Sequence, residues 1–468
     1  MESKNTFLLQ ETEEFMRGEL DNVTVAESRI LLDVVQGGHV PYGCYTSPAI
    51  QMPAFDAVRV SWNGGTPPGT ALEAQARVLV DGNWTAWCSF GRWSPYLQRE
   101  GAKPAVRGPL VMRADQLLLD SKIGMQVQLR IYLYSKDEKA TPTVSLLGVS
   151  VRPVDVIPAG GRPVNAQLHL MPYIVARRAP ALRGVMDLAV CLASLTNRWG
   201  ADILSEEFAL AVRDAQPEAD DACYLGFAAA VAGCWGFPAW ACWGDLALLR
   251  AEVRAGFGVI TAMESTPAQV AAGLPTVRYV AVRGFTARPD GGWTALLIDP
   301  WAGPGDFDAE TEMPLDDFLV AWNNLALCMR PRRHGVPAGC PARSSVWLRQ
   351  DRANPGLYRM HLGGTPHPLP DDFCGAAPET PESPENSDRA GGADSADAKE
   401  PPAAGVLAWS LPDERPHATA GHRTLHFVRP EQGGIRLEKP AEGSPTPLKY
   451  TVYAIDPSGQ TLVGDTLV

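Results

Sequence analysis

Hydrophobic and polar residues alternate in short runs along residues 25–155, and turn-forming residues separate the runs. The clearest run is QVQLRIYLY at 126–134, in which every second residue is a large aliphatic one. A period of two places such side chains on one face of a strand. Several short strands of this kind, with turns between them, predict an antiparallel β-sandwich over 25–155, preceded by an N-terminal tail at 1–24.

The pattern becomes helical after a connector rich in Pro and Gly that ends near residue 165. Four apolar residues recur there at spacings of three and four, which predicts an amphipathic helix. These residues are Leu188, Cys191, Leu192 and Leu195. Further helices are predicted at Ser205–Asp214, Ala222–Ala232 and Asp245–Ala255.

Apolar runs follow these helices, among them VRYVAVRGF at 277–285 and WTALLIDP at 293–300, and they predict strands. Helices followed by antiparallel strands are typical of an α+β domain, which we assign to 165–335.

The C-terminal third has a compositional break. Residues 375–404 are rich in Pro, Glu, Ser, Ala and Asp and contain no aromatic residue, which predicts a disordered linker. Strand-like runs occur on both sides, at 343–374 and 405–468, and predict one small β unit into which the linker is inserted. The whole chain is therefore expected to be multidomain, in agreement with its 468 residues.

Composition narrows the classes of partner. Hydrophobic residues make up 45% and charged residues 20% of the chain, as is usual for soluble globular proteins. The net charge of −12 and the shortness of the basic clusters argue against nucleic acid as a partner. The chain shows neither a signal peptide nor an apolar run long enough to span a membrane. We therefore expect a cytoplasmic protein, with export by a non-standard route left open.

The nine cysteines are scattered and form no CxxC pair. This distribution predicts reduced thiols and no metal site, and nothing in the sequence calls for a cofactor. Cys234 and Cys242, flanked by tryptophans, are interpreted as small buried residues rather than metal ligands.

Two parts of the chain carry a family resemblance. The segments YTSP, SWNGGTPPGT and WTAWCSFGRW, between residues 45 and 93, resemble the N-terminal β-sandwich of bacterial peptidase C39-like proteins. The segments LHLMPYIV, DLAVCLASLTNRWG, TVRYVAVRGF and LLIDP resemble, in order and spacing, the papain-like cysteine peptidase domain that follows in that family. The resemblance implies a central papain-like fold for 165–335.

The same resemblance assigns the catalytic positions. It puts the nucleophilic cysteine at Asp187, the histidine at Arg278 and the oxyanion amide at Val175, at the end of the first strand. Only Asp299, which would orient the histidine, is the residue that the family has. Because papain-like hydrolysis needs a thiolate, a proton acceptor and an oxyanion donor, no catalytic residue set is expected to be intact.

Other residues of the domain are candidates for the missing nucleophile and base. Cys191 lies on the apolar stripe of its helix, so its thiol is expected to be buried with a raised pKa. No histidine occurs between His169 and His334, and both lie at the borders of the domain. Asp187 is expected to be a helix N-cap.

A second expectation concerns the group as a whole. If the papain-like geometry holds, Asp187, Arg278 and Asp299 are neighbours, with the arginine between two carboxylates. The first interpretation is a structural salt bridge that holds the helix to the sheet. The alternatives are a pocket for a carboxylate or guanidinium ligand, and acid/base chemistry by the carboxylate pair.

The leading functional hypothesis is a pseudopeptidase that binds a peptide or protein in its former cleft. One alternative is an active cysteine peptidase with a non-standard catalytic arrangement. Another is a carbohydrate-binding or structural protein, in which Trp84 and Trp93 on the surface of the sandwich bind a glycan, while Trp62 and Trp87 belong to its core.

Overall fold

The computed structural model describes residues 5–331, apart from 68, 95–104, 114–115, 137, 156–163, 179–182, 202 and 213–224, and beyond them only the strands between 346 and 467. The chain divides into two compact units, Met1–Ala342 and Arg343–Val468. Both consist mainly of antiparallel β-sheets, and helices are few.

The N-terminal part of the first unit contains one short helix, α1 (Thr12–Phe15), and seventeen strands among the described residues. The strands are β1 (Thr6–Leu9), β2 (Glu19–Asp21), β3 (Val23–Ala26), β4 (Arg29–Leu32), β5 (Val34–Val35), β6 (Gly38–His39), β7 (Tyr42–Thr46), β8 (Ile50–Asn63), β9 (Thr70–Val80), β10 (Asn83–Trp84), β11 (Cys88–Trp93), β12 (Ala105–Arg107), β13 (Leu110–Arg113), β14 (Gln116–Leu119), β15 (Gly124–Ser135), β16 (Thr143–Val144) and β17 (Leu146–Pro153).

Twelve of these strands form one antiparallel sheet. Its main path runs β10-β9-β15-β8-β14-β13-β12; β11 is added beside β9, β7 and β2 beside β15, and β17 and β1 beside β8. The strand β15 pairs with β8 only at its start and with β7 further along. At the start of β15, where its register with β8 shifts, Gly124 lies against Phe55, and a Cβ would approach the ring to 2.4 Å. The antiparallel arrangement expected from the sequence is confirmed.

The strand β15 follows the predicted alternation. Its residues at 127, 129, 131 and 133 are buried, and those at 128, 130, 132 and 134 are half-buried on the other face. Residues 6–24, in contrast, are not a tail, because β1 pairs with β17 and β2 pairs with β7. Leu9 and Phe15 are buried there. These strands are too short to show a period of two in the sequence.

The central part of the first unit contains six helices, seven strands and two 3₁₀ turns among the described residues. In chain order they are β18 (Ala166–Gln167), a 3₁₀ turn (Val175–Arg177), α2 (Arg183–Asn197), α3 (Ser205–Val212), α4 (Leu225–Cys234), β19 (Ala239–Trp243), α5 (Leu246–Arg254), β20 (Val259–Glu264), α6 (Pro267–Ala271), β21 (Val277–Ala287), β22 (Trp293–Ile298), a second 3₁₀ turn (Asp306–Ala309), β23 (Glu310–Pro314), α7 (Leu315–Ala321) and β24 (Trp322–Met329).

These strands form a seven-stranded antiparallel sheet. Its order is β19-β24-β20-β21-β22-β23, with β18 beside β21. The predicted helices and main strands are present; α5, for example, begins after Asp245, whose carboxylate accepts the N–H of Leu248 at 2.8 Å. The predicted first strand is wrong, because 168–174 contain no strand and only Ala166–Gln167 pair with β21.

A buried asparagine joins the N-terminal sheet to the central part. Asn63, at the end of β8, donates to the carbonyls of Ala229 and Ala239 at 3.0 and 2.9 Å and accepts the N–H of Ala239 at 2.9 Å. Beside it the Cys234 thiol donates to the carbonyl of Gly64 at 3.0 Å. Because these groups are buried, each depends on the others for its hydrogen bonds.

The described residues of the second unit form seven antiparallel strands in two sheets, β25-β26-β29 and β28-β27-β30-β31. Their bounds are β25 (Val346–Gln350), β26 (Leu357–Leu362), β27 (Gly405–Pro412), β28 (Thr424–Val428), β29 (Gly434–Arg436), β30 (Leu448–Ile455) and β31 (Thr461–Leu467). The strand β26 precedes the predicted linker and pairs with β29, which follows it. Residues 375–404 themselves lie outside the described residues.

Within the described ranges, helices fall short of the length and apolar character needed to cross a bilayer.

Candidate functional site

Asp187 lies on α2 with its carboxylate buried; the residue is 4% exposed. Its Oδ1 accepts the N–H of Leu188 at 2.8 Å. Its Oδ2 accepts the N–H of Tyr279 and the indole N–H of Trp301, both at 3.1 Å. The N-cap prediction is wrong, because α2 begins at Arg183 and Asp187 lies one turn inside it.

Burial raises the pKa of Asp187 to about 6, from an ordinary value of 3.8. The hydrogen bonds from Trp301, Tyr279 and Leu188 lower it, and the charge of Asp299 raises it further. Desolvation is the largest of these effects because the carboxylate is buried, and its three N–H donors only partly replace the water it has lost.

Arg278 lies on β21 next to Tyr279, and the structure pairs it with one carboxylate rather than two. Its Nη2 lies 3.3 Å from Asp299 Oδ2, and its Nη1 donates to the hydroxyl of Ser265 at 3.4 Å. The arginine is 3% exposed, and its Nε has no hydrogen-bond partner among the described residues. The hydrogen bonds of Asp187 come from N–H groups, so the expected arrangement of an arginine between two carboxylates is not formed.

The segment Asp299–Trp301 connects the positions that the sequence singled out. Asp299 contacts Arg278, the carbonyl of Pro300 accepts the N–H of Val175 at 2.8 Å, and Trp301 donates to Asp187. The four positions therefore lie around one short stretch of chain. The proximity of Asp187, Arg278 and Asp299 is what the family resemblance implies.

Val175 differs from its prediction in one respect. It begins a 3₁₀ turn instead of ending a strand, and its side chain is buried and apolar. The chain has left β18 eight residues earlier, and Pro172 lies in between without an N–H to give to a sheet. The contribution of Val175 to the site is its backbone N–H, which donates to the carbonyl of Pro300.

Cys191 is fully buried one turn beyond Asp187, as predicted. Its thiol donates to the carbonyl of Tyr279, with the sulfur 3.6 Å from the oxygen. Burial raises the pKa of Cys191 well above its ordinary value, and the charges of Asp187 and Asp299 raise it further. The thiol is therefore protonated near neutral pH.

In the described part of the first unit, no histidine forms a hydrogen bond with this thiol. His169 is exposed, and His39, on β6, contacts the carbonyl of Leu32. His334 lies outside the described residues. The six cysteines that the structure describes are all buried and unpaired by disulfides, and no cluster of potential metal ligands was found in the same residues.

Trp301 covers the buried carboxylate from the outside. Its indole is half-buried, and the guanidinium of Arg183 lies 5.2 Å from the ring centroid. Sequence reasoning did not single out either residue. The available signal was the position of Trp301, because a residue two positions after Asp299 must lie close to that candidate site residue.

The tryptophans of the N-terminal sheet are distributed differently from the prediction. Trp62 is a core residue as expected, but Trp93 is also buried, at 2% exposure, with its ring 5.9 Å from that of Trp62. A ring enclosed in this way has no face for a glycan. Trp84 is half-buried on β10, and Trp87, expected in the core, is half-buried as well.

Comparison with known protein families gives a match for the N-terminal part of the chain. Residues 7–151, about a third of the chain, match the family described as Peptidase C39 N-terminal domain. The search of curated proteins found no match.

Among solved structures, the peptidase domain of Streptococcus ComA, a bi-functional ABC transporter involved in a quorum sensing pathway, is 16% identical to this chain. The alignment covers 35% of this chain and 98% of that domain, with a TM-score of 0.25. A TM-score of this size establishes neither a shared fold nor a shared activity.

Proposed function

We propose that this chain, whose residues 7–151 belong to the Peptidase C39 N-terminal domain family, is a peptidase homologue that does not cleave peptides. Its central part would be a papain-like domain in which the catalytic centre has become a structural one. The order of elements agrees with this proposal, since a long helix, α2, precedes an antiparallel sheet and packs on its strand β21.

The observation that carries the proposal is the environment of Asp187. A nucleophilic thiol at this position would need a free path to a substrate carbonyl and a base beside it. Asp187 is instead buried, bonded to three N–H groups and covered by Trp301. The place of the base belongs to Arg278, a permanent cation that cannot accept a proton.

The alternative of an active cysteine peptidase would need Cys191 as its nucleophile. That thiol is enclosed and its pKa is raised, so little thiolate exists near neutral pH. In the described part of the first unit, no imidazole forms a hydrogen bond with it. This alternative is therefore the weaker one.

A pseudopeptidase would act by binding a peptide or a protein. Such a ligand would contact the outer side of the site, where Arg183 is exposed and the Trp301 ring is half-buried, rather than the buried Asp187. A guanidinium beside an indole suits a peptide that carries a carboxylate next to an apolar side chain.

Hydrolysis of a quenched fluorescent peptide library by the full chain tests the proposal. We expect the rate of cleavage to equal that of a Cys191→Ser variant and of a buffer blank. Cleavage by the wild type that disappears in Cys191→Ser would overturn the proposal. Thermal unfolding of both proteins verifies that the comparison is made between folded chains.

A further inference from the structure

The strand β19 lies at one end of the seven-stranded central sheet, and among the described strands it pairs with β24 alone. An end strand of an antiparallel sheet directs the N–H and C=O groups of every second residue away from its neighbour. In β19 these residues are Ala239, Ala241 and Trp243, and all three are buried. Their outward backbone groups are therefore shielded from solvent and need hydrogen-bond partners within the protein.

Side chains of the strand β8 supply the partners for the first half of this edge. The Asn63 amide accepts the N–H of Ala239 and donates to the carbonyl of the same residue, both at 2.9 Å. The hydroxyl of Ser61, two residues earlier on β8, accepts the N–H of Ala241 at 2.9 Å. An asparagine that bonds both the N–H and the C=O of one residue makes the same pair of hydrogen bonds as a neighbouring antiparallel strand.

The second half of the edge is bonded by β17 and by Asn5. The hydroxyl of Ser150, on β17, accepts the N–H of Trp243 at 3.2 Å, and the amide of Asn5 donates to the carbonyl of Trp243 at 3.1 Å. Three outward N–H groups and two outward carbonyls of β19 thus have side-chain partners from the N-terminal part. We call the four side chains that provide these hydrogen bonds the edge cap; they are Asn5, Ser61, Asn63 and Ser150.

The sequence of β8 suits this contact. Polar residues at 59, 61 and 63 alternate with Val58, Val60 and Trp62, and residues 57–63 are all buried. A strand with one polar and one apolar face is typical of a sheet whose polar face contacts water. Here the polar face is covered by the central part instead, and the Ser61 and Asn63 side chains on it are each 1% exposed. Buried polar side chains need hydrogen-bond partners, and β19 provides them.

The two ends of the central sheet are protected in different ways. At the other end, the strand β23 carries the exposed residues Glu310, Glu312 and Pro314, and charges and proline discourage pairing with another chain. The strand β19 has the sequence AWACW, with neither a charge nor a proline. Its protection therefore comes from the edge cap. Without the cap, an apolar end strand of this kind is a template for pairing with an identical strand.

We propose that the N-terminal sheet keeps two copies of this chain from associating through their central sheets. The edge cap occupies β19, and a copy whose cap has opened pairs its β19 in antiparallel fashion with the β19 of a second copy. A two-fold axis relates the two strands of such a pair, so that one strand provides both sides of the contact. The proposal does not depend on whether the central part cleaves peptides, because it concerns the edge of β19 and not the surroundings of Asp187.

The double variant Ser61→Ala/Ser150→Ala of the full chain tests this inference, since it leaves two outward N–H groups of β19 without acceptors. Hydrogen exchange is measured by mass spectrometry at low protein concentration. Peptides that cover 239–243 should exchange at least about tenfold faster than in the wild type, while peptides from β20 should be unchanged. Sedimentation velocity over about a hundredfold range of concentration should show the mass of the variant rising above that of the wild type. Protection of 239–243 should return as the mass rises, which places the new contact at β19.

The matched control is Ser47→Ala/Ser89→Ala, which removes the same two groups elsewhere. The hydroxyls of Ser47 and Ser89 accept the N–H groups of Leu129 and Gly91 at 2.9 and 3.0 Å, inside the N-terminal sheet. The control should keep the mass of the wild type at every concentration and its rate of exchange at 239–243.

Four results would contradict the inference. They are unchanged exchange at 239–243 in the folded double variant, faster exchange without a rise in mass, a rise in mass without renewed protection of 239–243, and the same rise in the control. If the double variant does not fold, the single variant Ser61→Ala decides by the same measurements. Thermal unfolding establishes which variants are folded.

Discussion

The indole of Trp301 donates its N–H to the buried carboxylate of Asp187 at 3.1 Å, across 114 residues of chain. The contact joins α2 to the segment that follows β22. It places an aromatic ring over the position that the family resemblance assigns to a nucleophile. The same carboxylate accepts the N–H of Tyr279 on β21, so one side chain holds three elements together.

Replacing Trp301 by Phe should lower the free energy of unfolding by about 2 kcal/mol at pH 7, the cost of leaving a charged, buried acceptor without one of its donors. Phe retains most of the ring, so the loss reports mainly on the N–H. Urea unfolding measures it. The control is Trp199→Phe, a half-buried indole that stacks on Phe237 and whose N–H has no acceptor among the described residues. Equal losses in the two variants would contradict the role of the hydrogen bond.

The stability that depends on Asp187 should fall as pH rises from about 4 to about 6. The native pKa lies above the ordinary value, so the native state binds the proton more tightly than the unfolded chain in this window. The free energy of unfolding of wild type minus that of Asp187→Asn should therefore decrease by about 2 kcal/mol between pH 4 and pH 6. Urea unfolding at closely spaced pH values measures it.

The matched control for this titration is Asp120→Asn, which makes the same chemical change at an exposed position. Its difference from the wild type should vary little between the same pH values. A difference for Asp187→Asn that is flat, or that increases with pH, would show that the native carboxyl is not held in a desolvated environment.

The sequence predicted the main strands because their alternation is a local pattern, whereas the family resemblance alone implied that Asp187, Arg278 and Asp299 are neighbours. The strand β15 has four buried aliphatic residues at alternate positions, and the segments around Asp187, Arg278 and Asp299 keep a recognisable order. The family prediction is confirmed for residues 7–151. The segment from Thr6 to Asp21 was missed because strands of three or four residues show no clear period.

Other features depend on contacts that pattern cannot reveal. The burial of Trp93 follows from its packing against Trp62, and the half-buried position of Trp87 follows from the arginines beside it. Both tryptophans belong to the same sequence motif, so motif spacing could not distinguish them. The hydrogen bond of Trp301 likewise joins residues that are distant in sequence.

Cys191 should resist alkylation in the native protein. Its thiol is enclosed and its pKa is raised, and iodoacetamide reacts with exposed thiolate. The reaction is run at about pH 7.5, where free thiols already react. Peptide mapping by mass spectrometry should find Cys191 unmodified after treatment of the native protein and modified after treatment in urea. Selective modification of Cys191 in the folded chain would contradict this and would revive the active-peptidase alternative.

Replacing Asn63 by Ala should cost about 3 kcal/mol of unfolding free energy, because it leaves the carbonyls of Ala229 and Ala239 and the N–H of Ala239 without a side-chain partner in a buried place. The control Asn83→Ala removes an exposed amide whose one hydrogen bond within the described part of the chain is to the carbonyl of Asp81, and it should change stability by less than about 0.5 kcal/mol. Urea unfolding followed by tryptophan fluorescence measures both. Asn63 joins the N-terminal sheet to α4 and β19 of the central part. Its loss should therefore also separate one unfolding transition into two, one for each of these parts. A single transition with unchanged midpoint would show that the apolar contacts alone hold these parts together.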